Sequence, residues 1–218
     1  VDAVVATGAL VAHGVTESIG LTHYAVDPEA DDAALFAKGY NRIYDTLEME
    51  SNLNDVAELV HDLLEKTEPE GGMWSSARFC RAMGERLDEL DQGPGILRSA
   101  WRKRVPVFIP AFTDSEMGLD FSTHIMAAAV AKAQKEKGAP LTPDEVFTTV
   151  PAFNPFLDMQ EYARLIGKSE RLGIFLTSIL RRHDWISNCR HPAFNMGSGC
   201  VRNPSTGADF LAAPTRKA

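Results

Sequence analysis

Two patterns of apolar positions alternate along the chain as far as about residue 175. Short, nearly continuous apolar runs are separated by longer stretches in which apolar residues recur every three or four positions. The first pattern predicts buried parallel strands and the second predicts amphipathic helices. The opening run Val1-Asp2-Ala3-Val4-Val5-Ala6 predicts a strand whose end, Thr7-Gly8-Ala9, is a small-residue turn leading into a helix over 10–19. Residues 105–109 predict a second strand, running into Pro110-Ala111-Phe112-Thr113-Asp114, and residues 171–176 a third.

Predicted helices fill the intervals. One covers 31–38 and stops at Gly39. The next is capped by Asn52 or Asn54 and places Leu53, Val56, Val60, Leu63 and Leu64 on one face. A third covers 74–90, started by Ser75-Ser76, with Phe79, Met83 and Leu87 pointing inward. Others cover 96–103, 121–137 (closed by Gly138) and 156–166. Residues 41–45 read as a short strand or extended loop. The stretch 139–155, with Pro140, Pro143, Pro151 and Pro155, reads as a loop. Strands alternating with helices imply an α/β fold around a parallel sheet with helices on both faces. In such sheets ligands bind at the carboxyl ends of the strands, which directs attention to residues 7–9 and 113–114.

Composition narrows the function classes. The net charge of −8 and sequence pI of about 5.3 argue against non-specific nucleic-acid binding and favour a cationic ligand. No apolar run reaches the roughly 18 residues of a membrane span, and the apolar start lacks the basic leader of a signal peptide. Cys80, Cys189 and Cys200 show no paired spacing, which fits a reducing cytoplasm. The chain starts without Met and inside a predicted strand, so an upstream βα unit is expected to be missing and the sequence to be a fragment.

The candidate chemistry lies at the two strand ends. Small residues at Thr7, Gly8 and Ala9 let backbone approach a nucleotide, although any strand–helix junction uses such residues. Asp114, Glu116 and Asp120 fall within seven residues and can pair with an ammonium group; three acids in a solvated loop are the plainer reading. Neither a G-x-G-x-x-G nor a Walker loop is present. The group His183, Cys189, His191 and Cys200 matches none of the usual zinc spacings, so no metal site is expected. Arg181, Arg182 and Arg190 read as a solvated basic tail.

Several motifs, in order, carry a family resemblance: Val-Asp-Ala-Val-Val-Ala-Thr-Gly-Ala (1–9), Gly-Tyr-Asn-Arg-Ile-Tyr-Asp (39–45), Val-Pro-Val-Phe-Ile-Pro-Ala-Phe-Thr-Asp-Ser-Glu-Met-Gly-Leu-Asp (105–120) and Lys-Ser-Glu-Arg-Leu-Gly-Ile-Phe (168–175). Together they resemble deoxyhypusine synthase, most closely its bacterial deoxyhypusine synthase-like, homospermidine synthase-like branch, over residues 1–175. The resemblance implies a Rossmann-like α/β subunit in a homotetramer with NAD sites at subunit interfaces. It implies a transferase that oxidises spermidine with NAD and passes a 4-aminobutyl group to a protein lysine or to putrescine, the latter giving homospermidine. Carried over by position, Thr7, Gly8, Ala9 and Asp114 are cofactor-binding. Asp120 is the polyamine-binding aspartate, one residue further along than in the eukaryotic pattern. His13 stands where eukaryotic members place a cofactor-contacting glutamate, and is grouped with Asp120 on the substrate side.

Beyond residue 176 the resemblance stops. The family's third strand runs into a Gly-Gly-Gly turn, whereas Phe175 is followed here by Leu176-Thr177-Ser178-Ile179-Leu180. The Ser-Trp-Gly-Lys motif with the family's imine-forming lysine is also absent, so no catalytic residue is assigned. Residues 176–218 read as a divergent, irregular tail with one candidate element at 208–212. A reading-frame shift or misassembled gene is the expected cause, and a divergent segment of new function is the rival. The functional readings are therefore an NAD-dependent aminobutyl transferase, a non-catalytic remnant that binds NAD or docks on an intact homologue, and an unrelated α/β binding protein.

Overall fold

A computed structural model describes residues 2–168, 171–174 and 199–202. Its centre is a pair of parallel strands, β1 (Val4–Val5) and β5 (Val107–Phe108), with Val4 opposite Val107 and Val5 opposite Phe108. The Val4 amide donates to Pro106 O and the Ala6 amide to Phe108 O, both at 2.9 Å. Both faces of the pair are covered, as an apolar parallel strand requires.

On one face lie α1 (Gly8–Ser18), α3 (Glu50–Lys66), α4 (Ser76–Leu90), α5 (Ile96–Lys103) and α6 (Glu116–Lys137). Their buried residues include Val11, Val15, Val56, Val60, Phe79, Met83, Leu87, Met117 and Phe121. The other face is closed by α8 (Phe156–Lys168), where Tyr162 meets Phe108 edge-on at 5.7 Å between ring centres. The α/β arrangement with helices on both faces is therefore present.

Side chains seal the junctions where the strands stop. Ser76 Oγ accepts the Ile109 amide at 2.8 Å, beyond the last strand residue. The Asp158 carboxylate on α8 accepts the Ser76 and Ala77 amides at 2.9 and 3.0 Å, capping α4 from a distant part of the chain. Trp74 does not begin α4 as expected. It forms a parallel bridge with Phe153, and Ser75 is the helix cap. An aromatic cluster fixes the turn after β5: Phe112 packs on Phe121 at 4.9 Å and stacks on Phe153 at 5.8 Å.

Several elements differ from the sequence expectation. The short strand expected at 41–45 is present but ends at Ile43. It belongs to the hairpin β3 (Tyr40–Ile43) and β4 (Thr46–Met49), turned by Tyr44-Asp45, with β2 (Tyr24–Ala25) on the other side of β4. Tyr44 occupies a left-handed conformation normally signalled by Gly or Asn, so the turn was not legible. The Asn52 and Asn54 caps are not used. α3 follows β4 directly, without a side-chain cap, and Asn52 is buried. Thr7 caps α1, and Gly8 and Ala9 form its first turn instead of a separate loop.

Later in the chain, α6 starts at Glu116, five residues before the expected Phe121, because Ser115 Oγ accepts the Gly118 amide at 3.0 Å. The proline-rich stretch contains α2's counterpart in brevity, α7 (Pro143–Thr148), held by a Thr142/Glu145 capping box; α2 itself is Asp32–Phe36. Strand β6 (Arg171–Ile174) forms where expected but pairs antiparallel with β7 (Gly199–Arg202), Leu172 opposite Val201. The candidate element at 208–212 and the His183/Cys189/His191 group lie outside the described residues.

The two strand ends touch. A Cβ built on Gly8 would lie 2.4 Å from Ser115 Cβ, so the first turn of α1 abuts the cap of α6. Gly14, in the same helix, has nothing within 4 Å of such an atom. Gly8→Ala is therefore expected to destabilise by about 1–3 kcal/mol through overpacking. Gly14→Ala is expected to be neutral or to stabilise by up to about 1 kcal/mol. Urea unfolding of both variants checks this; equal effects would mean that the strand ends are not in contact.

Candidate functional site

Three elements bring a polar cluster together beside the strand ends. α1 carries His13, Thr16 and Glu17 at helical spacing, so they share one side of the helix. His23 lies between α1 and β2. Glu48 is in β4, where alternation turns its side chain inward onto α1, and it is only 2% exposed.

A buried carboxylate is costly unless it is hydrogen-bonded or paired, often by several kcal/mol. Glu48 is provided for on both oxygens. Oε1 accepts the Thr16 hydroxyl at 3.0 Å, and Oε2 lies 3.0 Å from His13 Nδ1 and 3.5 Å from His23 Nε2. The two imidazole nitrogens are 3.1 Å apart, and His23 Nδ1 faces Glu17 Oε1 at 3.5 Å. Burial works to raise the Glu48 pKa, but the hydrogen bonds from His13, His23 and Thr16 hold it well below the usual carboxylate range. The hydrogen bond to Glu48 raises the pKa of His23 despite burial, with Glu17 adding to the effect.

A second acidic pair stands on α6. Glu116 and Asp120 are one turn apart, and Glu116 Oε1 and Asp120 Oδ2 are both buried without a hydrogen-bond partner. Burial, then repulsion from Glu48 and Asp120, pushes the Glu116 carboxyl up to about 7. Asp120 is also raised by burial, against a lowering influence from His61. His61 on α3 and His124 on α6 lie alongside each other, with ring centres 5.1 Å apart. Two buried, unpaired acid oxygens make this turn of α6 complementary to a cation.

The residues singled out in the sequence divide into neighbouring groups. Thr7 is exposed and caps α1, accepting the Leu10 amide at 3.3 Å; Ala9 is exposed and Gly8 buried. Asp114 is exposed in a 3-10 turn, Phe112–Asp114, next to the Ser115 that touches Gly8. Thr7, Gly8 and the Asp114 turn thus share one edge. His13 lies deeper along α1 with Glu48, and Asp120 lies deeper along α6 with Glu116. Sequence reading missed His23, Glu48 and Glu17. His13 and His23 belong to no spaced motif, and only an acid at an inward strand position hinted at Glu48.

The raised Glu116 pKa has a consequence for stability. A carboxyl whose folded pKa, about 7, exceeds its ordinary value of 4.5 favours folding below about pH 4.5, and that contribution is lost as pH rises through 7. In EDTA-containing buffer, Glu116→Gln is expected to melt progressively higher than the parent between pH 4.5 and 7, with the gap constant above. Parallel melting curves across that range would contradict the assignment.

With this geometry in place, comparison with known proteins is informative. The chain matches the family "Deoxyhypusine synthase" over residues 1–178. It is 28% identical over 176 residues to "Probable deoxyhypusine synthase 2" of Methanosarcina acetivorans, covering 80% of this chain and 44% of that protein. A "Deoxyhypusine synthase-like protein" of Caulobacter vibrioides is 33% identical over 170 residues, 77% of this chain and 43% of the relative. One of the same description from Elusimicrobium minutum is 38% identical over 127 residues, 57% and 33% respectively. The chain therefore spans less than half the length of these relatives. The strand ends and helix starts described above are those of a chain that belongs to the deoxyhypusine synthase family.

Proposed function

We propose that this chain is the part of an NAD-dependent 4-aminobutyl transferase that holds the polyamine and one side of the cofactor. The carrying observation is the pair of buried, unpartnered acid oxygens on Glu116 and Asp120, a few residues beyond the exposed Asp114 turn. Spermidine or putrescine supplies the ammonium groups that such a pair lacks. The overall charge of −8 favours the approach of a polycation.

NAD, if held beside these residues, would supply the hydride acceptor for oxidation of the polyamine and, once reduced, the hydride donor. The residues of this chain orient and enclose. Thr7 and the first-turn amides of α1 present a helix N-terminus suited to an anionic group, and the exposed Asp114 carboxylate suits a ribose or amide donor. The lack of a Cβ at Gly8 is used by Ser115, so its role here is to hold the two helix starts together. Glu116 and Asp120 fix the cationic chain, and His13, held by Glu48, borders the same space. The acceptor is a protein lysine or putrescine.

The further expectation of a homo-oligomer is supported by exposed apolar side chains on α7 and α8 and between them: Phe147 (85% exposed), Val150 (82%), Phe156 and Met159 (both 64%). No helix among the described residues is long and apolar enough to cross a membrane.

One sequence observation favours the second reading, a non-catalytic remnant: no Ser-Trp-Gly-Lys lysine occurs in these 218 residues. The isolated chain is therefore expected to bind spermidine but to form neither homospermidine nor deoxyhypusine. Calorimetric titration with spermidine, alongside a turnover assay with NAD and putrescine, tests this. Glu116→Gln with Asp120→Asn should weaken spermidine binding at least tenfold. Unchanged affinity would overturn the polyamine assignment, and turnover by the chain alone would overturn the remnant reading.

A further inference from the structure

The cluster of His13, His23 and Glu48 has the shape of a metal centre. Its three donor atoms, His13 Nδ1, His23 Nε2 and Glu48 Oε2, form a triangle with edges of 3.0, 3.1 and 3.5 Å. Zinc bonds of roughly 2.0–2.1 Å place tetrahedral neighbours about 3.3 Å apart, so these edges suit atoms sharing one ion. We propose that His13, His23 and Glu48 bind one divalent transition-metal ion of the zinc class, leaving a fourth position open.

Hydrogen-bond chemistry leads to the same place. His23 Nδ1 faces the Glu17 carboxylate, so its proton belongs there. Nε2 then faces a carboxylate oxygen and a second imidazole nitrogen, a gap that a proton on Nε2 fills in the metal-free chain and that a metal ion can take over. Three such donor atoms facing one point are what a metal ion needs when it displaces that proton. The surroundings are those of a ligand set with its orienting groups. Glu17 on His23 Nδ1 makes the carboxylate–histidine–metal arrangement, and the Thr16 hydroxyl on Glu48 Oε1 turns the other oxygen toward the histidines.

The ligands are also well supported. Glu48 is buried, while His13 and His23 retain 18% and 11% side-chain exposure, enough for an ion to enter. Two imidazoles with one carboxylate favour zinc, iron or nickel over magnesium or calcium, which prefer oxygen donors. With neutral imidazoles, the ion and Glu48 together carry one positive charge, facing Glu17 and Glu116. The inference stands on these residues alone and does not depend on the chain handling NAD.

The test uses the whole 218-residue chain, stripped with a chelator and titrated with Co2+, whose visible spectrum reports coordination, and then with Zn2+. One equivalent of Co2+ is expected to give the strong absorption of a four-coordinate site and to be displaced by Zn2+. His13→Ala and His23→Ala should each weaken binding at least tenfold. Glu17→Gln, at the half-exposed rim, should weaken it about 10–100-fold without opening the core. Zinc should raise the melting temperature of the parent chain but not of the His13→Ala/His23→Ala double variant. A Cys189→Ser/Cys200→Ser variant should bind as the parent does. Absence of one-to-one binding, binding that survives the double histidine variant, or binding lost with the two cysteines would each overturn the proposal.

Discussion

The constraint on which the site depends is the parallel pairing of β1 with β5. Two residues on each strand suffice to bring their carboxyl ends level. The chain then leaves each strand into a helix capped by a hydroxyl, Thr7 for α1 and Ser115 for α6. Only a residue without a side chain at position 8 lets those helix starts meet. The short strands themselves supply few hydrogen bonds. Their register is maintained by what surrounds them: Ser76 on the Ile109 amide, Asp158 across the start of α4, and the rings of Phe79, Phe112 and Phe121 packed within 4.9–5.2 Å of one another. Burying such side chains contributes roughly 1.5–3 kcal/mol each, which is how a two-strand sheet becomes a rigid floor for a site.

Glu48 shows the opposite tendency, a local rule broken in the interior. A carboxylate at an inward strand position weakens the hydrophobic face of β4 and is tolerated only because α1 offers His13 and Thr16 at the right height. On the facing helix, Glu116 and Asp120 are left without partners. Groups that are costly to bury and incompletely satisfied concentrate where ligands bind, because the ligand completes them. The same edge thus combines a cap-lined helix start with an acidic interior.

Much of the framework was legible because its signals are local. The valine run before Thr7, the periodic Val56, Val60 and Leu63, the series Phe79, Met83 and Leu87, and the apolar 105–109 all carry their burial in their own spacing. The ordered motifs added the family. What escaped depended on partners distant in sequence or on unusual local geometry. Tyr44 turns a hairpin without glycine. Ser115 starts a helix inside what resembled an acidic loop, and β6 finds its partner at β7, some 25 residues on. The capping box at Thr142 and Glu145 was present in the sequence but was masked by the surrounding prolines. Of the residues proposed for the site, Thr7, Gly8 and Asp114 were singled out at strand ends, and His13 and Asp120 through resemblance. His23 and Glu48 emerge only when β4 is laid against α1.

The most direct test of this picture is hydrogen–deuterium exchange of the whole chain with and without NAD. If the edge between β1 and β5 is the cofactor side of the site, protection concentrates in peptides covering 4–12 and 107–120. The hairpin at 40–49 and the outer turn of α3 should exchange as before. Protection elsewhere with none at those two strand ends would contradict the central assignment.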